Sequence, residues 1–275
     1  MIPALVVGGL LIYFLFTSGV LSRNGTQVQV APEEMEAFRS AEESLIRDRM
    51  TYYTLLEEDE KKKFLMRTRL LMDSLAFVSR EEGFEVTDEM RILVSASLAQ
   101  LSFGWTELKP PHLEQIDLFS ESFYSRLAGA DVKGLTLPNR VMLSWRYFQE
   151  GYQIDNDKVN LGLHELAHSI WDETYEDDKI QAELDRWIEV ANVEFRKMQR
   201  HIDSGFFRDY AATNTKELWA CSVECFFEAP IEFQQKIPDL YNAVAEIINQ
   251  DMVERMQRKP FVRNRAMIET TQVLS

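Results

Sequence analysis

At 275 residues with only two cysteines and a net charge of −15, the chain is no disulfide-stapled mini-protein, and its acidity argues against a surface built for nucleic acid or anionic lipid. Basic or neutral substrates are the easier ones for such a surface to attract. Without its apolar first stretch the chain keeps about 250 residues, enough for one domain burying about 70–75% of its unfolded surface.

That first stretch carries no charge from Ile2 to Leu21, and a bilayer core roughly 30 Å thick needs about 20 such residues as a helix. Ser22, Arg23, Asn24 and Gly25 end it. A cleaved secretory signal has a shorter apolar region preceded by Lys or Arg, and nothing basic precedes this one. Residues 1–25 are expected to be a transmembrane anchor, in contact with the bilayer through residues 2–21, and residues 26–275 one further domain. Arg23 and Arg39 follow the span, so the positive-inside rule puts the body in the cytoplasm. Cys221 and Cys225, four apart on one helix, are poorly placed for a disulfide and suit a reducing compartment.

Glu33 to Leu56 reads as a helix. A second runs from about Glu58 to Val78, with Phe64, Leu65, Leu71, Met72 and Leu75 on its apolar face. Gly83 breaks the pattern, and Thr87 caps a third helix with Asp88 and Glu89 in its first turn and Gly104 beyond its end. The texture then changes. Gln115 to Phe119, Val132 to Leu137 and Arg140 to Trp145 are β-branched or alternating runs, with Pro138-Asn139 as a turn. They predict a small mixed sheet of three or four strands. Helices return at about 157–172, 178–202, 215–227 and 238–257, which makes the class α+β with helix dominant.

The chemistry centres on His164-Glu165-Leu166-Ala167-His168, the pattern HExxH. On a helix, positions i and i+4 share a face about 6 Å apart, so both imidazoles can bind one Zn²⁺. The intervening Glu faces the same open position and can take a proton from a water there. Among Leu161, Leu163, Leu166, Ala167 and Ile170, two histidines and a Glu would be costly to bury without a task. A catalytic zinc wants three protein ligands. His112, behind Pro110-Pro111, and His201, at the end of a charged helix, read as surface residues. A carboxylate is the better third ligand, and Glu217 opens an apolar helix at a suitable place. Asn214 and Glu217 equally fit a capping box, in which the Glu binds backbone N–H and no metal. Spacing leaves both readings open.

The stretches Glu85 to Met90, Leu143-Ser144-Trp145, Asn160 to His168 and Tyr210 to Pro230 together resemble the MtfA-like zinc-dependent peptidases, over about Tyr52 to Tyr241. The Tyr-x-x-Thr-Asn-x-x-Glu segment from Tyr210 to Glu217 is also similar to the metal-site segment of anthrax toxin lethal factor. The resemblance implies a zincin-like domain with His164, His168 and Glu217 as zinc ligands, Glu165 as general base and Tyr210 as the helper of the oxyanion. Glu224, seven residues beyond Glu217, matches a Glu of the family and is expected behind a ligand histidine. Where members carry an Asp three residues after the second His, this chain has Trp171, with Asp172 following. A membrane-tethered zinc peptidase is thus expected, cleaving peptides or a protein. A zinc-bearing but idle binding protein is the alternative, and the presence of both Glu165 and Tyr210 disfavours it.

Overall fold

The structure, a computed structural model, describes residues 20–23, 26–29, 32–171, 178–200 and 205–258. Of the predicted anchor, all but Val20 and Leu21 lies outside the described residues. Those two are extended, in a strand β1 (Val20–Arg23) paired antiparallel with β2 (Thr26–Gln29). Among the described residues no helix is long and apolar enough to cross a membrane. The chain divides into two compact units, Met1–Asp48 and Arg49–Ser275.

The first unit holds β1, β2 and nearly all of helix α1 (Pro32–Arg49). The helix expected from Glu33 to Leu56 is interrupted at Met50, whose backbone is extended, and a single turn α2 (Thr51–Thr54) follows. Helix α3 (Glu58–Ser74) opens with a capping box, Glu60 returning a carboxylate oxygen to the Glu57 N–H at 2.9 Å. It stops short of the expected Val78, because Leu75 turns extended and Ala76–Ser79 form strand β3. Thr87 caps α4 (Asp88–Leu101), its hydroxyl accepting from the Met90 N–H at 3.3 Å. From Ile92 onward every residue of α4 is buried, and the helix packs against α3 and against the helix that carries the histidines.

Strands β4 (Gln115–Phe119), β7 (Gly134–Leu137) and β8 (Arg140–Ser144) complete a mixed four-stranded sheet in the order β3-β4-β8-β7. The pairs β3–β4 and β4–β8 are parallel, and β7–β8 is an antiparallel hairpin with Gly134 opposite Leu143. Ile116, Asp117 and Leu118 are all buried, as a central strand covered on both faces requires. Asp117 is tolerated there because Arg80 and Arg140 lie 3.0 and 3.5 Å from its carboxylate. A separate two-stranded hairpin, β5 (Phe123–Ser125) with β6 (Ala130–Val132), interrupts the crossover from β4 to β7. The strand expected from Val132 to Leu137 is therefore two strands of different sheets.

The second half is helical: α5 (Trp145–Gly151), α6 (Leu161–His168), α7 (Asp178–Gln199), a 3₁₀ turn (Asp209–Ala212), α8 (Thr215–Glu228), α9 (Pro230–Lys236), α10 (Pro238–Ile248) and α11 (Met252–Arg258). Pro230 and Pro238 each start a helix at its first position, where the missing N–H costs nothing. The last predicted helix is broken at Asn249, which takes a left-handed conformation at φ 51°. Helices α6 and α8 pack together. The Trp219 indole N–H donates to the Ala167 carbonyl at 2.8 Å, and Trp187 stands edge-on to Trp219 and to Trp171, with centroids 5.4 and 5.3 Å apart.

Candidate metal centre

Helix α6 begins where Asn160 caps it, its side-chain oxygen accepting from the Leu163 N–H at 3.0 Å and its amide group donating to the Gly151 carbonyl at 2.9 Å. The cap sits four residues before His164, so the first free turn of the helix is already fixed when the first histidine arrives. His164 and His168 then project from the same face, with ring centroids 4.9 Å apart.

Helix α8 brings Glu217 to them. Asn214 does cap this helix, accepting from the Glu217 N–H at 3.0 Å. Among the described residues the reciprocal bond of a capping box, from the Asn214 N–H to the Glu217 side chain, is not made. The carboxylate turns instead toward the imidazoles, with one oxygen 3.0 Å from His164 Nε2 and 3.4 Å from His168 Nε2. The two Nε2 atoms are themselves 3.3 Å apart. Ligand atoms set tetrahedrally about a zinc at its usual bond lengths are about 3.3–3.5 Å from one another, so two edges of this triangle match what the ion needs and the third, at 3.0 Å, is a few tenths of an ångström short. Burial by itself would raise the carboxyl of Glu217, but its hydrogen bonds to His164 and His168 outweigh burial and hold it well below the usual carboxylate range.

On the other side of the His164 ring, Nδ1 donates to Glu224, whose carboxylate oxygen is 3.1 Å away. That bond leaves the lone pair on Nε2, the nitrogen facing Glu217 and His168. Burial disfavours the charged imidazole, yet Cys221, Glu217 and Glu224 together raise the pKa of His164 well above its ordinary value. His164, Cys221 and Glu224 form a second group with donor atoms close enough for an ion. Arg208, however, lies 2.7 Å from Glu224 there, and a fixed guanidinium repels a metal. The donor set His164, His168 and Glu217 is the one that fits.

Glu165 is buried beneath strand β7. The Thr136 hydroxyl lies 3.0 Å from its carboxylate and 2.8 Å from its backbone carbonyl. Gly134 makes room for it, since a Cβ at that position would fall 2.5 Å from the Glu165 side chain. Burial raises the pKa of this carboxyl, against the opposing charges of His164 and His168. Neither Gly134 nor Thr136 was foreseeable from the sequence, where both stand in an ordinary strand pattern. Tyr210, half-exposed on the 3₁₀ turn, holds its ring 5.9 Å from that of His164. Burial and then the Glu217 carboxylate raise its phenol above the ordinary value, so it stays a donor.

These groups line a cleft of about 430 Å³ whose opposite wall is Gly134 to Pro138, the edge strand and its turn. His112 is also in the wall, its Nε2 2.9 Å from the Ser169 carbonyl; the expectation of a surface residue fails because the loop after Pro110-Pro111 folds back against the end of α6. His201, Asp172 and Glu173 lie outside the described residues. Trp171, in the place of the expected Asp, packs on Trp187 and Trp219. Cys221 and Cys225 are free and buried.

Comparison with known proteins gives the chain its family. Mlc titration factor A of Escherichia coli strain SMS-3-5 is 25% identical over 229 residues, covering 74% of this chain and 84% of that protein. The Synechocystis protein slr2042 is 20% identical over 233 residues, covering 74% of this chain and 81% of its own. The family model for the glucose-regulated metallo-peptidases M90 matches residues 26–248. With that match over most of its length, the chain belongs to the M90 family of metallopeptidases.

Proposed function

We propose that this chain is a zinc-dependent peptidase in which His164, His168 and Glu217 hold the ion, Glu165 is the general base and Tyr210 donates to the developing oxyanion. A zinc bound there would lower the pKa of a water to about 7 and polarise the scissile carbonyl. Glu165, buried and held by Thr136, would take a proton from the attacking water and pass it to the leaving amine. The Tyr210 hydroxyl, half-exposed in the wall of the cleft, would strengthen its hydrogen bond only as the carbonyl oxygen becomes an anion.

The observation that carries this reading is the turn of Glu217 away from its own helix cap and onto both imidazoles. A second observation bears on the substrate. Strand β7 pairs with β8 on one side only and lines the cleft with the other. An extended peptide could add to that edge by backbone hydrogen bonds, which would favour peptides and unfolded segments over small molecules.

The purified chain should contain close to one zinc, and His164→Ala or His168→Ala should lose it. Glu165→Gln should retain the metal while turnover of a peptide library falls about 10²–10⁴-fold, as general-base removal typically does. A metal-free preparation that still hydrolysed peptides would falsify the mechanism. The apolar run from Ile2 to Leu21 supports a membrane tether, with the catalytic body in the cytoplasm. Deleting residues 1–23 should release an active enzyme from the membrane fraction, and continued sedimentation with membranes would rule that tether out.

A further inference from the structure

Behind His164 stands a side chain to which no motif pointed. Arg208 lies just before the 3₁₀ turn that carries Tyr210. Its guanidinium meets both oxygens of Glu224, at 2.7 and 3.2 Å, and donates to the Lys158 carbonyl at 3.2 Å. The same group sits 5.7 Å from the centroid of the Tyr210 ring. It is also 3.2 Å from His164 Nδ1; with the lone pair on Nε2, both atoms are donors there, and both approach the same Glu224 oxygen.

Lys158 is in an unusual state itself. It is left-handed, at φ 66°, a conformation that a residue with a Cβ holds only when its surroundings enforce it. Its ammonium is tied to Glu232 at 2.9 Å and lies over the Phe206 ring. The turn presents the Lys158 carbonyl to Arg208. It also aims the next two backbone N–H groups at α8, Val159 at Glu228 (3.1 Å) and Asn160 at Glu224 (2.8 Å). Glu224 thus receives Asn160 N–H, Arg208 and His164 Nδ1–H while only 1% of its side chain is exposed.

We propose that Arg208 is a positioning residue, which fixes the plane of Glu224 against His164 and fastens the Tyr210 turn to the start of α6 in the same fork. The inference rests on the zinc-peptidase reading for its consequence in catalysis. A carboxylate held by one bond can swivel about its last torsion. A forked guanidinium on both oxygens removes that freedom. With the plane fixed, Oε2 stays on the Nδ1–H, and the imidazole keeps its lone pair and its aim at Nε2. Lysine could supply the charge but not the fork, since one ammonium cannot serve both Glu224 oxygens and the Lys158 carbonyl in this planar arrangement.

Zinc affinity of the full chain, measured by competition with a chromogenic chelator, tests this without any turnover. Arg208→Gln should bind zinc about 10–100-fold more weakly, as Glu224→Gln should, that being the usual cost of losing an orienting partner of a ligand histidine. The double variant should be no weaker than the weaker single one, because both changes break the same linkage. Arg208→Lys should fall between wild type and Arg208→Gln. A role confined to stapling the loop would lower the melting temperature but leave zinc affinity unmoved. Wild-type affinity in Arg208→Gln, or losses that multiply in the double variant, would overturn the proposal. Should Arg208→Gln fail to fold, Arg208→Lys decides: a partial loss supports the assignment and undiminished affinity overturns it. If Glu165→Gln stayed active while the Arg208–Glu224 coupling held, the peptidase mechanism alone would fail.

Discussion

His164 meets a carboxylate at each of its ring nitrogens, and both acids come from one face of α8, seven residues apart in the sequence. Their surroundings differ in kind. Glu217, 16% exposed at the cleft, leans on two imidazoles. Glu224, at 1%, is met by a backbone N–H, a guanidinium and the imidazole. An acid whose bonds are all supplied by the protein holds a neighbour in place and has nothing left to offer a metal. The acid that leans on two imidazoles is the one free to join them on an ion. The spacing of the two glutamates is helical, but the division of labour between them comes from what the α6 entry and the Arg208 loop bring to each.

Glu217→Gln attacks the front side and should have the largest effect. It replaces a charged oxygen with a neutral amide, and we expect zinc occupancy to collapse and hydrolysis to vanish with it. If metal analysis found full occupancy in that variant, the roles of the two acids would have to be exchanged. Tyr210→Phe, also at the front, keeps the ion and removes one oxyanion donor. Its kcat should fall by about 10²–10³-fold with KM and zinc content nearly steady. An unchanged kcat would leave Tyr210 a packing residue over His164.

Much of this centre was legible from the sequence. The spacing of His164 and His168 fixes a shared helix face, and Thr87, Pro138-Asn139 and the runs at 115–119 and 140–144 carried their local geometry in their composition. What was hidden depends on partners distant along the chain. Ala76 to Ser79 continues the apolar pattern of α3 and becomes a strand because β4, almost forty residues later, offers its edge. Glu217 had two local futures, cap or ligand, and its sequence does not show that the carboxylate turns to α6 while its own helix end is capped by Asn214. Arg208 resembles any loop arginine until Glu224 is placed beneath it. His112 was misread since nothing local shows its loop returning to Ser169.

Gly134→Ala sharpens the comparison by touching the base alone. The new methyl would lie 2.5 to 2.7 Å from three atoms of the Glu165 side chain, so either the strand or the carboxylate must shift. Overpacking of this kind costs about 1–3 kcal/mol of stability. Displacing a reacting group by an ångström can cost about 10²-fold in rate. We expect a measurable loss of kcat with zinc still bound, since neither imidazole is touched. Full activity with an unshifted melting temperature would mean that Glu165 has room to spare.

The smallest change should follow from Asn214→Ala, and it isolates the cap from the metal. Asn214 satisfies the Glu217 N–H at 3.0 Å, while the Glu217 carboxylate is engaged elsewhere. Removing a side-chain cap costs about 0.5–2 kcal/mol, which should appear as a lower melting temperature of the apo protein. Zinc affinity should hold nearly constant, because the position of Glu217 is set by the whole of α8 packed on α6, through Trp219 and its bond to Ala167. Added zinc should then recover as much melting temperature in the variant as in the wild type, since ligand stabilisation depends on affinity for the folded state and not on the starting stability. A variant that loses both stability and zinc would show that the cap aims the ligand, and that the front of His164 is held by its own helix end as firmly as the back is held by Arg208.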